Sequence, residues 1–240
     1  MSDFCYIYCI TRENPDTACP KVSGHQGGEI VKIPYRQIAA FISKTSQSYF
    51  EPTFENLSRH EEVISFFMKE GSPLPMRFST ILSSEEKIKA MLETYYDQFM
   101  ENLEKVEGKV ELGVKVFCKL EIQEEKAAMP ETSSPREYML ARYCQYQSRQ
   151  RQTEGIMKET ERLHDRLAAL SCESSYTRPM KNNLFFNASY LVAKDQKEAF
   201  DREAEHLKKQ YPAFKIVYSG PWPAYHFVTI SKEDENEQLC

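Results

Sequence analysis

The sequence predicts a two-domain α+β protein, with a mixed α+β N-terminal domain and a ferredoxin-like C-terminal domain that contains a long helix. Helix-start signals and apolar strand segments alternate along the 240 residues, and a polar, proline-interrupted stretch separates two halves at residues 121–134. A chain of this length fits one large domain or two of about 100–130 residues. We therefore predict an N-terminal domain over residues 1–120 and a C-terminal domain over residues 121–240, which ends in an acidic tail.

The helices are predicted from capping boxes, in which a Ser or Asp side chain and a Glu side chain three residues later satisfy free N–H groups of the first turn. These boxes begin at Ser58, Ser83, Ser134 and Asp195. They predict helices over residues 59–70, 84–105, 135–171 and 196–209. Pro135 strengthens the third prediction, because a first-turn proline loses no hydrogen bond. A shorter helix is predicted from Tyr35 to Ser43.

Strands are predicted between these helices, from apolar runs and from alternation of apolar and polar residues. They cover Phe4–Ile10, Glu29–Ile33, Val110–Leu120, Leu184–Ala193 and Phe214–Tyr218. In the second half the order is strand, long helix, strand, helix, strand, which is typical of a ferredoxin-like sandwich. Alternatively, Val110–Leu120 belongs to the second sheet, and the domain boundary then moves to about residue 108.

Composition and charge indicate protein partners. The net charge is −5, whereas a nucleic-acid-binding domain usually has a basic face, and acidity also disfavours an anionic lipid surface. No apolar run approaches the roughly 18 residues of a membrane span, and the N-terminus lacks the pattern of a secretory signal. We therefore predict a cytoplasmic protein that binds neither nucleic acid nor a lipid membrane.

The sequence lacks the common motifs of catalytic, metal and cofactor sites. The glycine cluster Gly24–Gly28 has neither the spacing of a dinucleotide fingerprint nor the Lys-Ser/Thr ending of a phosphate loop, and is predicted to be a flexible turn. His60-Glu61-Glu62 lacks the second histidine of a zinc motif. The seven cysteines include no Cys-x-x-Cys pair. We predict no catalytic residue, metal or cofactor, and a protein that is not an enzyme.

The long helix has a polar middle. Residues Gln147–Glu154 are all polar, and Gly155 weakens the helix directly after them. Either this middle is a solvated surface, with the helix projecting or bending there, or it is a surface that docks another helix.

The segment Ser219–Ile230 contains the sole tryptophan of the chain, Trp222, between two prolines. Each proline fixes its own φ and favours an extended residue before it, so the indole is predicted on a stiff, extended segment. A strand is predicted after it, with Tyr225 and Phe227 on one face. Trp222 is predicted to bind a partner, because tryptophan and tyrosine are frequent binding hot spots. The alternative, which the sequence favours equally, is that Trp222 packs within its own fold.

A second segment, Pro73–Thr80, is predicted to be an edge strand because it contains two prolines. Its apolar residues alternate with Pro75, Arg77 and Ser79. Arg77 is predicted either to pair with a carboxylate or to face a partner. The predicted partner-binding residues of the two segments are Trp222, Tyr225, Phe227, Arg77 and Phe78.

Both segments resemble signatures of the gas vesicle accessory proteins GvpF and GvpL. The matching residues are Gly220-Pro221-Trp222-Pro223 with its aromatic-rich continuation, and Leu74-Pro75-Met76-Arg77-Phe78, where Ser79 replaces the family's usual glycine. The helix around His60, the segment Glu137–Leu140 and the segment Asn187–Val192 are also similar to the family. These markers follow the family's order from about residue 57 to 230.

The resemblance implies a non-enzymatic gas vesicle protein, a minor structural or accessory component that binds the major shell protein GvpA and other gas vesicle proteins and supports vesicle assembly. It also implies a location in the cytoplasm and the gas vesicle, and a role in buoyancy. One alternative is a soluble assembly chaperone that is absent from the finished vesicle. Another is an RNA-binding ferredoxin-like module, because Tyr225–Ile230 is similar to an aromatic RNA-reading strand but lacks its glycines and basic residue.

Overall fold

The computed structural model describes residues 4–15, 19–118, 134–179 and 181–231. The chain divides into two compact units. The first contains the described residues up to Glu111 together with those from Pro221 onward, and the second contains those from Leu112 to Gly220.

The first unit is built on an antiparallel sheet with β1 at its centre. Its strands are β1 (Phe4–Arg12), β2 (Ile30–Tyr35), β3 (Ile38–Thr45), β4 (Leu74–Pro75) and β5 (Ile81–Leu82). The strand order is β2-β3-β1-β4, and β5 also pairs with β1. Its helices are α1 (Phe54–Glu70), α2 (Glu85–Thr94) and α3 (Tyr96–Val106). Six consecutive residues of β1 are buried, so both faces of this strand are covered, as its apolar sequence predicts.

The second unit has the ferredoxin-like order of elements. These are β6 (Lys109–Cys118), α4 (Pro135–Ala168), β7 (Glu173–Thr177), β8 (Leu184–Ala193), α5 (Lys197–Gln210) and β9 (Phe214–Trp222). The sheet order is β7-β8-β6-β9, so the first strand of the motif lies between its third and fourth strands. The predicted α+β class is confirmed.

The two units do not follow the predicted division after residue 120. The strand β6 hydrogen-bonds to β8 and β9, which agrees with the alternative that assigned Val110–Leu120 to the second sheet. The chain then returns to the first unit at Pro221. The predicted connector (apart from Ser134) and the acidic tail after Ser231 lie outside the described residues.

The capping box of the long helix is confirmed. The backbone N–H of Glu137 donates to the Ser134 hydroxyl (3.4 Å), and the N–H of Ser134 donates to the Glu137 carboxylate (2.8 Å). Pro135 occupies the first helical position, as predicted.

The other predicted caps are displaced. Thr53 rather than Ser58 caps α1, because its hydroxyl accepts from the Asn56 N–H at 3.3 Å. Ser84 rather than Ser83 caps α2. Gln196 is the residue before α5, and its side chain makes no capping hydrogen bond. The predicted helix over residues 84–105 is two helices, which meet at Tyr95.

The predicted helix from Tyr35 to Ser43 is wrong, since this segment enters β3. A two-residue turn at Arg36 and Gln37 joins β2 to β3, with Tyr35 opposite Ile38. Arg36 has φ of 50°, the positive value that tight hairpin turns require. Residues 38–43 are all buried, and periodicity alone does not distinguish a short apolar strand from a buried helix.

Candidate partner-binding site

The tryptophan segment is a strand that ends in a turn. Trp222 is the last residue of β9, and the chain then turns, with the N–H of Tyr225 donating to Pro223 O (2.7 Å) and that of Phe227 to Ala224 O (3.2 Å). The predicted strand after Trp222 is therefore wrong. Because a turn does not alternate its side chains, Phe227 and the residue that follows it are both buried. The RNA-binding alternative loses the strand on which it was based.

A buried carboxylate holds this turn in place. Glu111 is 3% exposed, and its carboxylate accepts from the backbone N–H of His226 at 2.9 Å and lies 2.5 Å from Nδ1 of the same residue. A buried carboxylate is strongly unfavourable without such partners. The pairing of Glu111 with His226 therefore fixes the backbone four residues after Trp222.

Trp222 is 41% exposed at the surface of the first unit. Beside it is a depression whose apolar lining includes Met68, Pro73, Val106 and Val110. The cavity volume is about 10 Å³, which is room for about one water molecule. The depression is thus too small for a metabolite, whereas an exposed indole beside apolar side chains suits contact with another protein surface.

The second predicted segment lies at a sheet edge, as its prolines predict. Leu74 and Pro75 form β4 and pair with Ile10 and Cys9 of β1, and β4 is the last strand of the order. The predicted alternation is incomplete, because Pro75 is buried along with its apolar neighbours. Arg77 is exposed and Phe78 is half-buried.

Ser79 stands where the resemblance implies a glycine, and it adopts a backbone conformation typical of glycine. Its φ is 65°, in the left-handed region that glycine adopts most easily. Its backbone N–H donates to the Tyr6 hydroxyl at 2.9 Å, and its own hydroxyl accepts from the Phe50 N–H at 3.0 Å. These two hydrogen bonds offset the unfavourable backbone conformation of a non-glycine residue.

Behind this segment is a buried polar pair, Tyr6 and His60. Nε2 of His60 lies 3.1 Å from the carbonyl oxygen of Met76, which can only accept, so Nε2 carries the proton. Nδ1 of His60 then accepts from the Tyr6 hydroxyl at 3.0 Å. Burial lowers the pKa of His60 to about 4, and burial raises the pKa of Tyr6 above its usual value. Both side chains are therefore neutral at pH 7.

A second histidine, His25, enters the same core. It is 2% exposed, and its ring centroid lies 4.3 Å from that of Tyr6 and 4.4 Å from that of Phe50. Its backbone N–H donates to the Tyr8 hydroxyl at 2.8 Å, while its Nε2 has no hydrogen-bond partner among the described residues. Burial lowers the pKa of His25 to about 4. The sequence predicted a flexible turn for this segment and gave no signal of the buried ring.

The structure places the five predicted binding residues in different environments. Phe78 and Tyr225 pack against the same hydrophobic core, which includes Tyr6, Tyr8 and Phe41. Phe227 is 3% exposed, so it supports the turn and is not an open aromatic edge. Trp222 and Arg77 are exposed.

Two further classes of site are not found in the part of the chain that is described. Its His, Cys, Asp and Glu side chains form no group of three that could hold a metal ion. None of its helices combines the length and the apolar character needed to cross a membrane.

The sequence is similar to those of known gas vesicle proteins. The family described as "gas vesicle synthesis protein GvpL/GvpF" matches residues 4–229. Gas vesicle protein L of Streptomyces sp. (strain CB03234) is 29% identical, over 97% of this chain and 95% of that protein. Gas vesicle protein F1 of Halobacterium salinarum is 26% identical, over 99% of both chains.

Two crystal structures share the fold. The gas vesicle protein GvpF from Anabaena sp. PCC7120 superimposes with a TM-score of 0.79 at 22% identity, over 98% of this chain and 100% of that chain. GvpF from Microcystis aeruginosa superimposes with a TM-score of 0.74 at 20% identity, over 96% and 100%. The family match includes both the Leu74–Phe78 segment and the turn after Trp222. This chain therefore belongs to the GvpL/GvpF family of gas vesicle synthesis proteins.

Proposed function

We propose that this protein is a non-enzymatic gas vesicle protein that binds the major shell protein GvpA and supports vesicle assembly as a minor structural component of the wall. Family membership supports a role among other gas vesicle proteins, in the cytoplasm and the gas vesicle. The observation that carries the proposal is the exposed indole of Trp222, whose backbone segment is rigid.

The rigid backbone around Trp222 favours binding, because little conformational freedom is lost on contact. Pro221 and Pro223 restrict the backbone on both sides of Trp222, and the buried Glu111 holds the turn that follows. An anchor that is already ordered avoids much of the entropy cost of association. Membership of the family implies a shell protein that is small and very hydrophobic, and such a protein needs an apolar surface to hold it before it assembles.

The other predicted residues take different parts in this proposal. Tyr225 and Phe227 pack inside the first unit and stabilise the turn after Trp222. The Tyr225 hydroxyl hydrogen-bonds there to the Glu61 carboxylate. Arg77, with Phe78 beside it, is a second contact that adds a cation at the β4 edge.

Co-expression with affinity-tagged GvpA tests the proposed contact. We expect the tagged shell protein to capture the wild-type chain, and Trp222→Ala to reduce capture about tenfold or more, as truncation of a hot-spot aromatic does. Trp222→Phe retains a ring and is expected to retain part of the binding. Tyr49→Ala removes another exposed aromatic of the first unit (58% exposed) and is the matched control. Arg77→Ala tests the second contact separately.

Two results would contradict the proposal. Failure of tagged GvpA to capture the wild-type chain would overturn GvpA binding itself. Capture of Trp222→Ala at the wild-type level would leave GvpA as partner but remove Trp222 from the interface. The emission of Trp222, the sole tryptophan of the chain, provides a direct check, since burial of the indole on binding shifts it to shorter wavelength.

The proposed place in the wall is tested on purified vesicles. A wall component resists washing with salt and mild denaturant and is detected by antibody in the washed vesicles. A soluble assembly chaperone is found only in the supernatant.

A further inference from the structure

The first half of α4 exposes an apolar seam to solvent. Thr160, Leu163 and Leu167 are the buried residues of this helix, all in its last three turns, and Nδ1 of His164 lies 2.9 Å from the Tyr190 hydroxyl of β8. Residues 135–159 contain no buried position. At 1.5 Å per residue, this part of the helix extends over about 37 Å.

The exposed residues are large and follow the helical repeat. Five of them are between 48% and 69% exposed, namely Tyr138, Met139, Leu140, Tyr143 and Tyr146. Met139, Tyr143 and Tyr146 are spaced four and then three residues apart, so they lie on one face, and Leu140 lies beside them. We call these four residues the tyrosine seam. A spacing of this kind is what a second helix packs against.

The charges around the seam define its partner. Residues 135–152 contain four arginines and one glutamate, a net charge of +3 in a chain whose net charge is −5. The glutamate, Glu137, accepts the hydrogen bond of the capping box. Arg142 and Arg149 are seven residues apart, two turns of the helix, and so lie along the same border of the seam.

From this combination we propose that the tyrosine seam of α4 docks an amphipathic helix of a partner protein, with an apolar stripe bordered by Asp and Glu. The apolar stripe covers the seam, and the acidic borders pair with Arg142 and Arg149. Guanidinium groups bind carboxylates through two parallel hydrogen bonds, which fixes the register of such a pair.

Other occupants fit these observations less well. A second copy of the chain would bring two helices of charge +3 together, and like charges along a helix pair are repulsive. A nucleic acid would leave Met139 and Leu140 without apolar partners. For an anionic membrane surface, the seam contains only two aliphatic side chains, fewer than an interfacial helix uses.

The test uses the full-length chain and synthetic three-heptad peptides as probes. All peptides have leucine at the two apolar heptad positions. The positions that border this stripe are glutamate in one peptide, lysine in a second and glutamine in a third. We expect the glutamate peptide to bind, the glutamine peptide to bind about tenfold more weakly and the lysine peptide not to bind, as measured by isothermal titration calorimetry.

Three variants locate the binding surface. The pair Tyr143→Ala and Tyr146→Ala weakens binding of the glutamate peptide about tenfold or more while retaining the helix, because alanine favours helix. The pair Arg142→Glu and Arg149→Glu reverses the preference toward the lysine peptide. The matched control is Gln145→Ala with Gln152→Ala on the opposite helix face, and its binding stays at the wild-type level. Circular dichroism verifies each fold.

The outcomes that overturn the proposal are distinct. It is wrong if the glutamate and lysine peptides bind equally, if neither binds, or if the control pair weakens binding as much as the tyrosine pair. It is also wrong if sedimentation shows a dimer that the tyrosine pair dissociates, or if only single-stranded RNA or anionic vesicles bind the seam. Capture by GvpA through Trp222 is measured separately and does not depend on these results.

Discussion

The hydroxyl of Tyr6 accepts a hydrogen bond from the backbone N–H of Ser79 at 2.9 Å. This contact joins the central strand of the first sheet to a turn 73 positions later in the chain. The same hydroxyl donates to Nδ1 of His60 at 3.0 Å. One phenol therefore ties together β1, α1 and the segment that follows β4.

We predict that Tyr6→Phe lowers the free energy of unfolding by about 2 kcal/mol. The substitution leaves the Ser79 N–H and His60 Nδ1 without this partner in a buried setting, and each such group is expensive to leave unpaired. Urea unfolding measures the change. Tyr49→Phe removes an exposed hydroxyl and is expected to change stability by less than about 0.5 kcal/mol. If the two variants are equally stable, the Tyr6 hydroxyl contributes little.

Two substitutions of Ser79 distinguish how its backbone strain and its side-chain hydrogen bond each affect stability. Ser79→Ala keeps the positive φ but removes the acceptor of the Phe50 N–H, so we expect a loss of about 1–2 kcal/mol. Ser79→Gly also removes the acceptor but relieves the backbone, so its stability stays within about 1 kcal/mol of the wild type. Thermal unfolding of both variants measures the difference. A glycine variant less stable than the alanine variant would contradict this account.

Acid is expected to destabilise the first unit through His60. The pKa of His60 is about 4 in the folded chain and about 6.5 when unfolded. Between these values the unfolded chain binds the proton and the folded chain does not, so the free energy of unfolding falls as pH decreases from about 6.5 to about 4. His60 contributes about 3 kcal/mol to this fall, and above pH 6.5 its contribution is constant.

The variant His60→Gln isolates this contribution. Urea unfolding of the wild type and the variant, at a series of pH values, measures how strongly each depends on pH. We expect the variant to be less stable at pH 7 and to lose less stability between pH 6.5 and 4. An unchanged dependence on pH would exclude His60 as its source.

Gly24 lies where a side chain has no room. A Cβ atom built there would be 2.5 Å from the Tyr8 hydroxyl and 2.7 Å from Ser43 Cβ. We therefore predict that Gly24→Ala destabilises the chain by about 1–3 kcal/mol, as overpacking of a core does. A Cβ atom built at Gly155 in α4 meets no heavy atom of the described residues within 4 Å, apart from its chain neighbours and its own helix backbone. Gly155→Ala is thus expected to stabilise by about 1 kcal/mol, and differential scanning calorimetry of both variants tests the opposite signs.

The sequence predicted elements whose signals are local. The bounds of β8 were predicted as found, because Leu184–Ala193 has a long apolar pattern. The capping box at Ser134 placed the start of α4 correctly. The strand β7 was missed, since Glu173–Thr177 is a mostly exposed, polar strand without apolar alternation.

The site was harder to predict, because its properties depend on distant residues. The turn after Trp222 is held by Glu111, more than 100 positions earlier in the chain, and local sequence gives no indication of that pairing. The aromatic residues after Trp222 therefore led to the prediction of a strand, and Phe227 was predicted to be an exposed binding residue. The ordered motifs nevertheless identified the family, because each one is a contiguous string of residues.

The path of the chain between the two units has a consequence for synthesis on the ribosome. The first unit is discontinuous, and residues after its return at Pro221 contribute the buried side chains of Phe227, Val228 and Ile230 to it. Its interior is complete only when residues 221–230 have been synthesised. The second unit, from Leu112 to Gly220, is one uninterrupted stretch. It can therefore fold before residues 221–230, which complete the first unit, have been synthesised.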